Sequence, residues 1–211
     1  MLHIGTRLLC AGLCMLIAFS AQAASAEWGA AQLMQDLAKR QANGGRARFV
    51  ETKYIALLDK PVVSSGELAF VPPDRLEKRT LLPKPELLTI DNDRLEIDRR
   101  GKRYSMRLAE RPEAIAFADS IRGALTGDQH KLEASYKLDV SGTRDNWGLR
   151  LVPSEARLAA LVERIDIKGS DDLIHTIEYT LPDGDRTVMS IVPIEAECSR
   201  AARSCRSPSG C

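Results

Sequence analysis

Residues 87–108 read Leu87-Leu88-Thr89-Ile90-Asp91-Asn92-Asp93-Arg94-Leu95-Glu96-Ile97-Asp98-Arg99-Arg100-Gly101-Lys102-Arg103-Tyr104-Ser105-Met106-Arg107-Leu108. Period two places Leu88 and Ile90 on one face, then Leu95 and Ile97, then Tyr104, Met106 and Leu108. Polar turns break the run at Asp91-Asn92-Asp93 and at Arg99-Arg100-Gly101. Three short strands with tight polar turns, each apolar on one side and charged on the other, describe a meandering antiparallel sheet with one wet face.

The same pattern extends in both directions. Upstream, alternation sets Val50, Tyr54 and Ala56 against Phe49, Glu51 and Lys53, and Leu68 and Phe70 share a face after Ser64-Ser65-Gly66. Before that, Trp28 to Ala42 carries Trp28, Leu33, Leu37 and Ala38 near helical spacing. Asn43-Gly44-Gly45 stops this amphipathic helix. Downstream, Pro112 opens a second helix through Ile115, Phe117, Ile121 and Leu125, and Gly127 closes it. Its apolar residues exceed a single stripe, so burial on more than one side is expected.

Strands resume with Tyr136, Leu138 and Val140, then Trp147, Leu149 and Leu151. Ser154 is placed to cap a short third helix containing Leu158 and Leu161. Strands at Glu163 to Lys168, Leu173 to Leu181 and Arg186 to Val192 complete the chain, the last two joined by an Asp183-Gly184-Asp185 turn. Ten or eleven one-faced strands in succession must curl into two packed sheets or a barrel-like shell, with a helix covering what the shell encloses.

The ends read differently. Arg7 precedes Leu8 to Ser20, an uncharged apolar run followed by Ala21-Gln22-Ala23 and Ala24-Ser25-Ala26. That layout predicts a secretory signal peptide over 1–26, its apolar run shorter than the roughly 20 residues of a membrane-spanning helix. Cys10 and Cys14 fall inside it, each preceded by leucine rather than the small residue a lipid-modified cysteine requires. A soluble, exported product is expected.

One domain is assigned to 27–197 and a flexible tail to 198–211. The tail holds Cys198, Cys205 and Cys211, an odd set that permits one disulfide in an oxidising compartment. Their spacing is not that of a zinc site.

The whole chain has 30 basic and 29 acidic residues, and the leader contributes one base, Arg7, so the remainder is balanced. Balance argues against broad nucleic-acid binding. Chemistry is sparse. Beyond the leader the histidines are His130 and His175, and His175, within an apolar strand, reads as structural. Asp171-Asp172 and the Asp183/Asp185 pair sit in turns, where aspartate bonds its own backbone. No nucleophile elbow or phosphate-binding glycine loop is present. The chain reads as a non-enzyme without cofactor or metal.

The order of features resembles a known family. A leader and short helix precede Phe49-Val50-Glu51-Thr52-Lys53, then Val62-Val63-Ser64-Ser65-Gly66-Glu67-Leu68-Ala69-Phe70 and Pro73-Asp74-Arg75-Leu76. With Leu87 to Leu95, Trp147 to Pro153 and the hairpin over Ile177 to Val192, this resembles the LolA family of periplasmic outer-membrane lipoprotein carriers. The likeness covers roughly residues 28 to 193. It implies mainly β architecture, an unclosed antiparallel β-barrel whose concave apolar face holds acyl chains beneath a helical lid. The chain departs from the family where Pro72 replaces the arginine that helps control lid closure, and where Leu76 replaces an aromatic ring. Arg75 lies close by without matching that position.

The resemblance and the alternation together nominate a lipid-binding wall. Its sheet residues are Leu68, Phe70, Leu76, Leu88, Ile90, Leu95 and Ile97, with Tyr104, Met106 and Leu108. Its helix residues are Ile115, Phe117, Ile121 and Leu125. The implied function is a monomeric periplasmic carrier, or chaperone, taking acylated lipid or lipoprotein cargo from an inner-membrane donor to an outer-membrane acceptor. Alternatives are a lipid-sensing module similar to the RseB-type regulators, and a plain structural β-domain.

Overall fold

The computed structural model describes residues 28–194. The signal peptide expected over 1–26 and the tail assigned to 198–211 lie outside the described residues. Helix α1 (Ala30–Gln41) is followed by strands β1 (Gly45–Tyr54), β2 (Val62–Val71), β3 (Arg75–Leu82), β4 (Glu86–Asp91), β5 (Arg94–Arg99) and β6 (Lys102–Arg107). A single 3-10 turn (Leu108–Glu110), α2 (Pro112–Thr126) and α3 (Gln129–Ser135) lead into β7 (Tyr136–Thr143) and β8 (Asn146–Pro153). Then come α4 (Ala156–Ala159), β9 (Arg164–Ser170), β10 (Leu173–Thr180) and β11 (Arg186–Pro193).

All eleven strands form one sheet in the order β6-β5-β4-β3-β2-β1-β11-β10-β9-β8-β7. Every pairing is antiparallel. β1 is the midline, with β2–β6 forming one wing and β7–β11 the other. The edge strands β6 and β7 do not pair, so the barrel is unclosed. The chain between those two edges is the helical segment 108–135. Topology alone therefore brings helices to the gap that the sheet leaves open.

Side chains opposite one another across antiparallel strands share a face, and the register lays out the concave wall. One row runs Phe70, Leu76, Ile90, Leu95, Met106, and the next runs Leu68, Lys78, Leu88, Ile97, Tyr104. Across the midline Glu51 lies opposite Met189, which continues to Ile177, Ile167, Leu149 and Val140. The core holds Leu149, Leu151, Ile165 and Ile167 from one wing and Phe70, Leu76, Ile90 and Leu95 from the other.

Four local expectations change. β3 was not visible as a strand, because Glu77, Lys78 and Arg79 mask its alternation. α3 is an added helix, since Gly127, left-handed at φ 66, ends α2 while the Asp128 side chain immediately accepts the Lys131 N–H at 2.9 Å to start the next one. Glu155 rather than Ser154 stands at the N-cap of α4, without a side-chain cap. In β1 the face carrying Val50 and Tyr54, apolar by composition, is the outer one, with Val50 50% exposed, while Phe49 and Glu51 point inward.

Trp147 fixes the far wing. The buried indole faces Gly169 across β8 and β9, and its Nε1 donates to the Asp171 carbonyl at 3.1 Å. A Cβ on Gly169 would collide with the Leu173 carbonyl and the Trp147 ring. Gly169→Ala is expected to lower stability by about 1–3 kcal/mol, as overpacking does, read as a fall in urea midpoint. An unchanged midpoint would mean that the indole has room to move.

Candidate functional site

Helix α2 crosses the concave face and is tied to both wings. On the β7–β11 side, the Tyr136 hydroxyl donates to the Ala116 carbonyl at 3.1 Å, and the Phe117 ring packs on Tyr179, centroids 5.0 Å apart. Burial pushes the Tyr136 phenol up to about 12 and the Tyr179 phenol, beside Ser120, higher still. On the other side, Arg122 Nε donates to the Asp74 carbonyl at 2.6 Å, within the loop that joins β2 to β3. Arg122 is buried, and its Nη2 finds no partner among the described residues. A guanidinium held by one neutral carbonyl is an incompletely satisfied tether. Arg75, by contrast, is on the outer face, ion-paired with Glu77 at 2.6 Å and Asp91 at 3.2 Å.

Beneath α2 lies a cavity of about 1240 Å³. Sites for small molecules are usually ~300–1,000 Å³, and this one is larger. Leu68, Phe70, Leu76, Leu88 and Ile90 line it from the sheet, and Phe117, Ile121 and Leu125 line it from α2. Six nominated residues stand elsewhere. Leu95 and Leu108 are in the packed core, and Ile97, Met106 and Ile115 pack against it, because α2 and the 3-10 turn press onto that part of the wing. Tyr104 shares the row of Ile97 but is 52% exposed on the edge strand β6, which has no neighbour to cover it.

The opposite wall was missed. Leu173, Ile174 and Ile177 of β10 and Met189 and Ile191 of β11 also line the cavity. Their alternation was legible, but only the register through β1 shows which face meets the cavity. His175, on the other face beside a register shift in β10, is exposed and hydrogen-bonded to Ser170 Oγ at 2.7 Å.

Arg40, Gln41 and Asn43, at and just after the end of α1, and Arg46, Glu67, Glu77 and Arg79, on the outward positions of their strands, also border the cavity; Lys78 is the charged strand residue there whose row faces inward. Lys78 lies between Leu68 and Leu88 in its row and borders the cavity. Its ammonium passes over the Phe49 ring, 5.1 Å from the centroid, and binds Glu51 Oε2. Lys53 Nζ meets Glu51 Oε1 at 3.0 Å. The Glu51 side chain is only 2% exposed, against 22% for Lys78 and 48% for Lys53. Burial alone would raise the Glu51 carboxyl; the two ammonium groups outweigh it and hold the group below the usual carboxylate range.

Among the described residues no cluster of metal-ligating side chains occurs, and no helix is long and apolar enough to cross a membrane.

Comparison with known proteins supplies the family. The family described as outer membrane lipoprotein carrier protein LolA-like matches residues 20–205. No curated protein sequence matches the chain. Among solved structures, similarity is found to a LolA superfamily protein from Nitrosomonas europaea, with 7% identity over 79% of this chain and 94% of that one and a TM-score of 0.41. A putative outer membrane lipoprotein-sorting protein domain from Vibrio parahaemolyticus shares 10% identity over 83% and 99%, TM-score 0.40. The MucA/MucB complex of Pseudomonas aeruginosa gives 15% over 81% and 59%, TM-score 0.40.

Proposed function

The chain belongs to the LolA-like outer membrane lipoprotein carrier protein family, and we propose that it is a periplasmic carrier that shelters the acyl chains of a lipid or lipoprotein beneath α2. The observation that carries this reading is the cavity of about 1240 Å³, lined by apolar side chains from both wings and roofed by a helix with only a few polar ties. An acyl chain of ~16 carbons gains about 0.8 kcal/mol per buried methylene, roughly 13 kcal/mol in all. Ordering the chain and displacing the roof subtract from that. The remainder is set by how firmly α2 is held, and Arg122, bound to one backbone carbonyl, is a modest hold. Cargo can then move between donor and acceptor without a nucleotide, each step driven by the next partner's affinity.

The test has two stages. Mass spectrometry of organic extracts from the purified protein is expected to show acylated species that a control periplasmic protein lacks. Incubation with membrane vesicles containing labelled lipid is then expected to yield a soluble protein–lipid complex. Binding without extraction would favour a sensor over a carrier. Neither binding nor extraction would sink both.

A further inference from the structure

We propose that the Lys78–Glu51–Lys53 group makes the cavity selective for cargo whose polar end is an anionic oxygen group, a carboxylate or a phosphate. This rests on the reading of the cavity as an acyl-chain site. One carboxylate, Glu51, faces two ammonium groups, and among the described residues neither Lys78 nor Lys53 has another acidic partner. The group therefore carries one excess positive charge, and Lys78 is its member on the cavity wall, between Leu68 and Leu88.

Stability does not explain that arrangement. A buried ion pair is commonly matched or exceeded by apolar residues of similar volume, and leucine or methionine at position 78 would continue the row from Leu68 to Leu88. Lysine keeps three N–H donors. Glu51 Oε2 is the acceptor for one, and the Lys78 side chain borders the cavity. A guest that supplies an anionic oxygen there would satisfy the free donors and neutralise the excess charge. In a poorly solvated wall such a charge-assisted bond outweighs one to a neutral ester.

The experiment is competition for a fluorescent fatty alcohol bound to the full chain at pH 8, using palmitate, hexadecyl phosphate and methyl palmitate. The two anions are expected to displace the probe at concentrations about tenfold below the ester, the scale of one charge-assisted hydrogen bond. Lys78→Met is expected to bring the anion-to-ester ratio close to one, and Lys78→Arg to preserve it. Carboxylate and phosphate arms separate the two head-group classes, and a preference for either supports the proposal.

Equal displacement by anion and ester in the unaltered protein overturns the proposal while leaving the acyl cavity standing; that comparison needs no variant to fold. A ratio unchanged in Lys78→Met also overturns it. Displacement by none of the three removes the premise itself.

Discussion

Phe117→Ala is expected to weaken the fold and strengthen lipid binding at the same time. The ring lines the cavity on one side and packs on Tyr179 on the other, and Tyr179 is buried. Removing a fully buried phenylalanine costs about 3–5 kcal/mol. Phe117 is only partly buried and borders open volume, so a smaller loss of about 2 kcal/mol in urea-induced unfolding is expected. The cargo, however, must compete with the ring for space and with α2 for the concave face. Shortening the side chain removes the first competitor and loosens the second, so more molecules are open at any moment and the apparent Kd falls with that fraction. Titration with a fluorescent fatty acid should show affinity several-fold higher. Lower stability with unchanged or weaker binding would make Phe117 ordinary core and α2 a fixed cover.

The contrast with Tyr104 shows what the sequence could and could not reveal. Both aromatic residues sit in clean patterns, Tyr104 in a period of two and Phe117 in a helical one. Alternation assigns a residue to a face, and the register confirms that Tyr104 shares the face of Ile97. Whether a face is covered depends on the neighbouring strand, and β6 is an edge. Ten of the eleven strands, the hairpins at Asp91-Asn92-Asp93 and Asp183-Gly184-Asp185 and the span of α2 are readable, because local turn chemistry and periodicity determine them. The far wall of the cavity was not. Ile177 and Met189 reach it only because β11 pairs with β1, a contact between residues about 140 apart in the chain.

Charged residues misled for a related reason. In β1 the Val50 face looks apolar and the Glu51 face mixed, yet Phe49 and Glu51 point inward. Glu51 is acceptable there only because Lys78 arrives from β3, the strand whose charges hid it from view. The outward Val50 face and the masked alternation of β3 thus have one cause. A buried pair removes the hydrophobic signal from both of its strands.

That pair supports the second large effect. Glu51→Gln is nearly isosteric and leaves two ammonium groups without a counter-charge. Breaking a buried ion pair from one side costs ~3–5 kcal/mol. Lys53 and Lys78 are partly exposed and can turn toward water, so about 3 kcal/mol is expected at pH 7. The pH dependence follows from the lowered Glu51 pKa. In the unfolded chain the carboxyl titrates near its ordinary value, and in the folded protein it titrates below that value. Its contribution is therefore complete at neutral pH and is lost as pH falls through the ordinary carboxylate range to the lower folded pKa. Urea unfolding of both proteins from pH 7 to pH 3 should show a difference that is constant above the carboxylate range and shrinks within it. A difference that stays constant down to pH 3 would mean that proton linkage at Glu51 plays no part. The same substitution separates the roles within the group. Glu51 competes with cargo for the Lys78 ammonium, so Glu51→Gln should raise the preference for palmitate over its methyl ester while Lys78→Met abolishes it. If both substitutions lowered that preference equally, Glu51 would be positioning the lysine rather than competing with the guest.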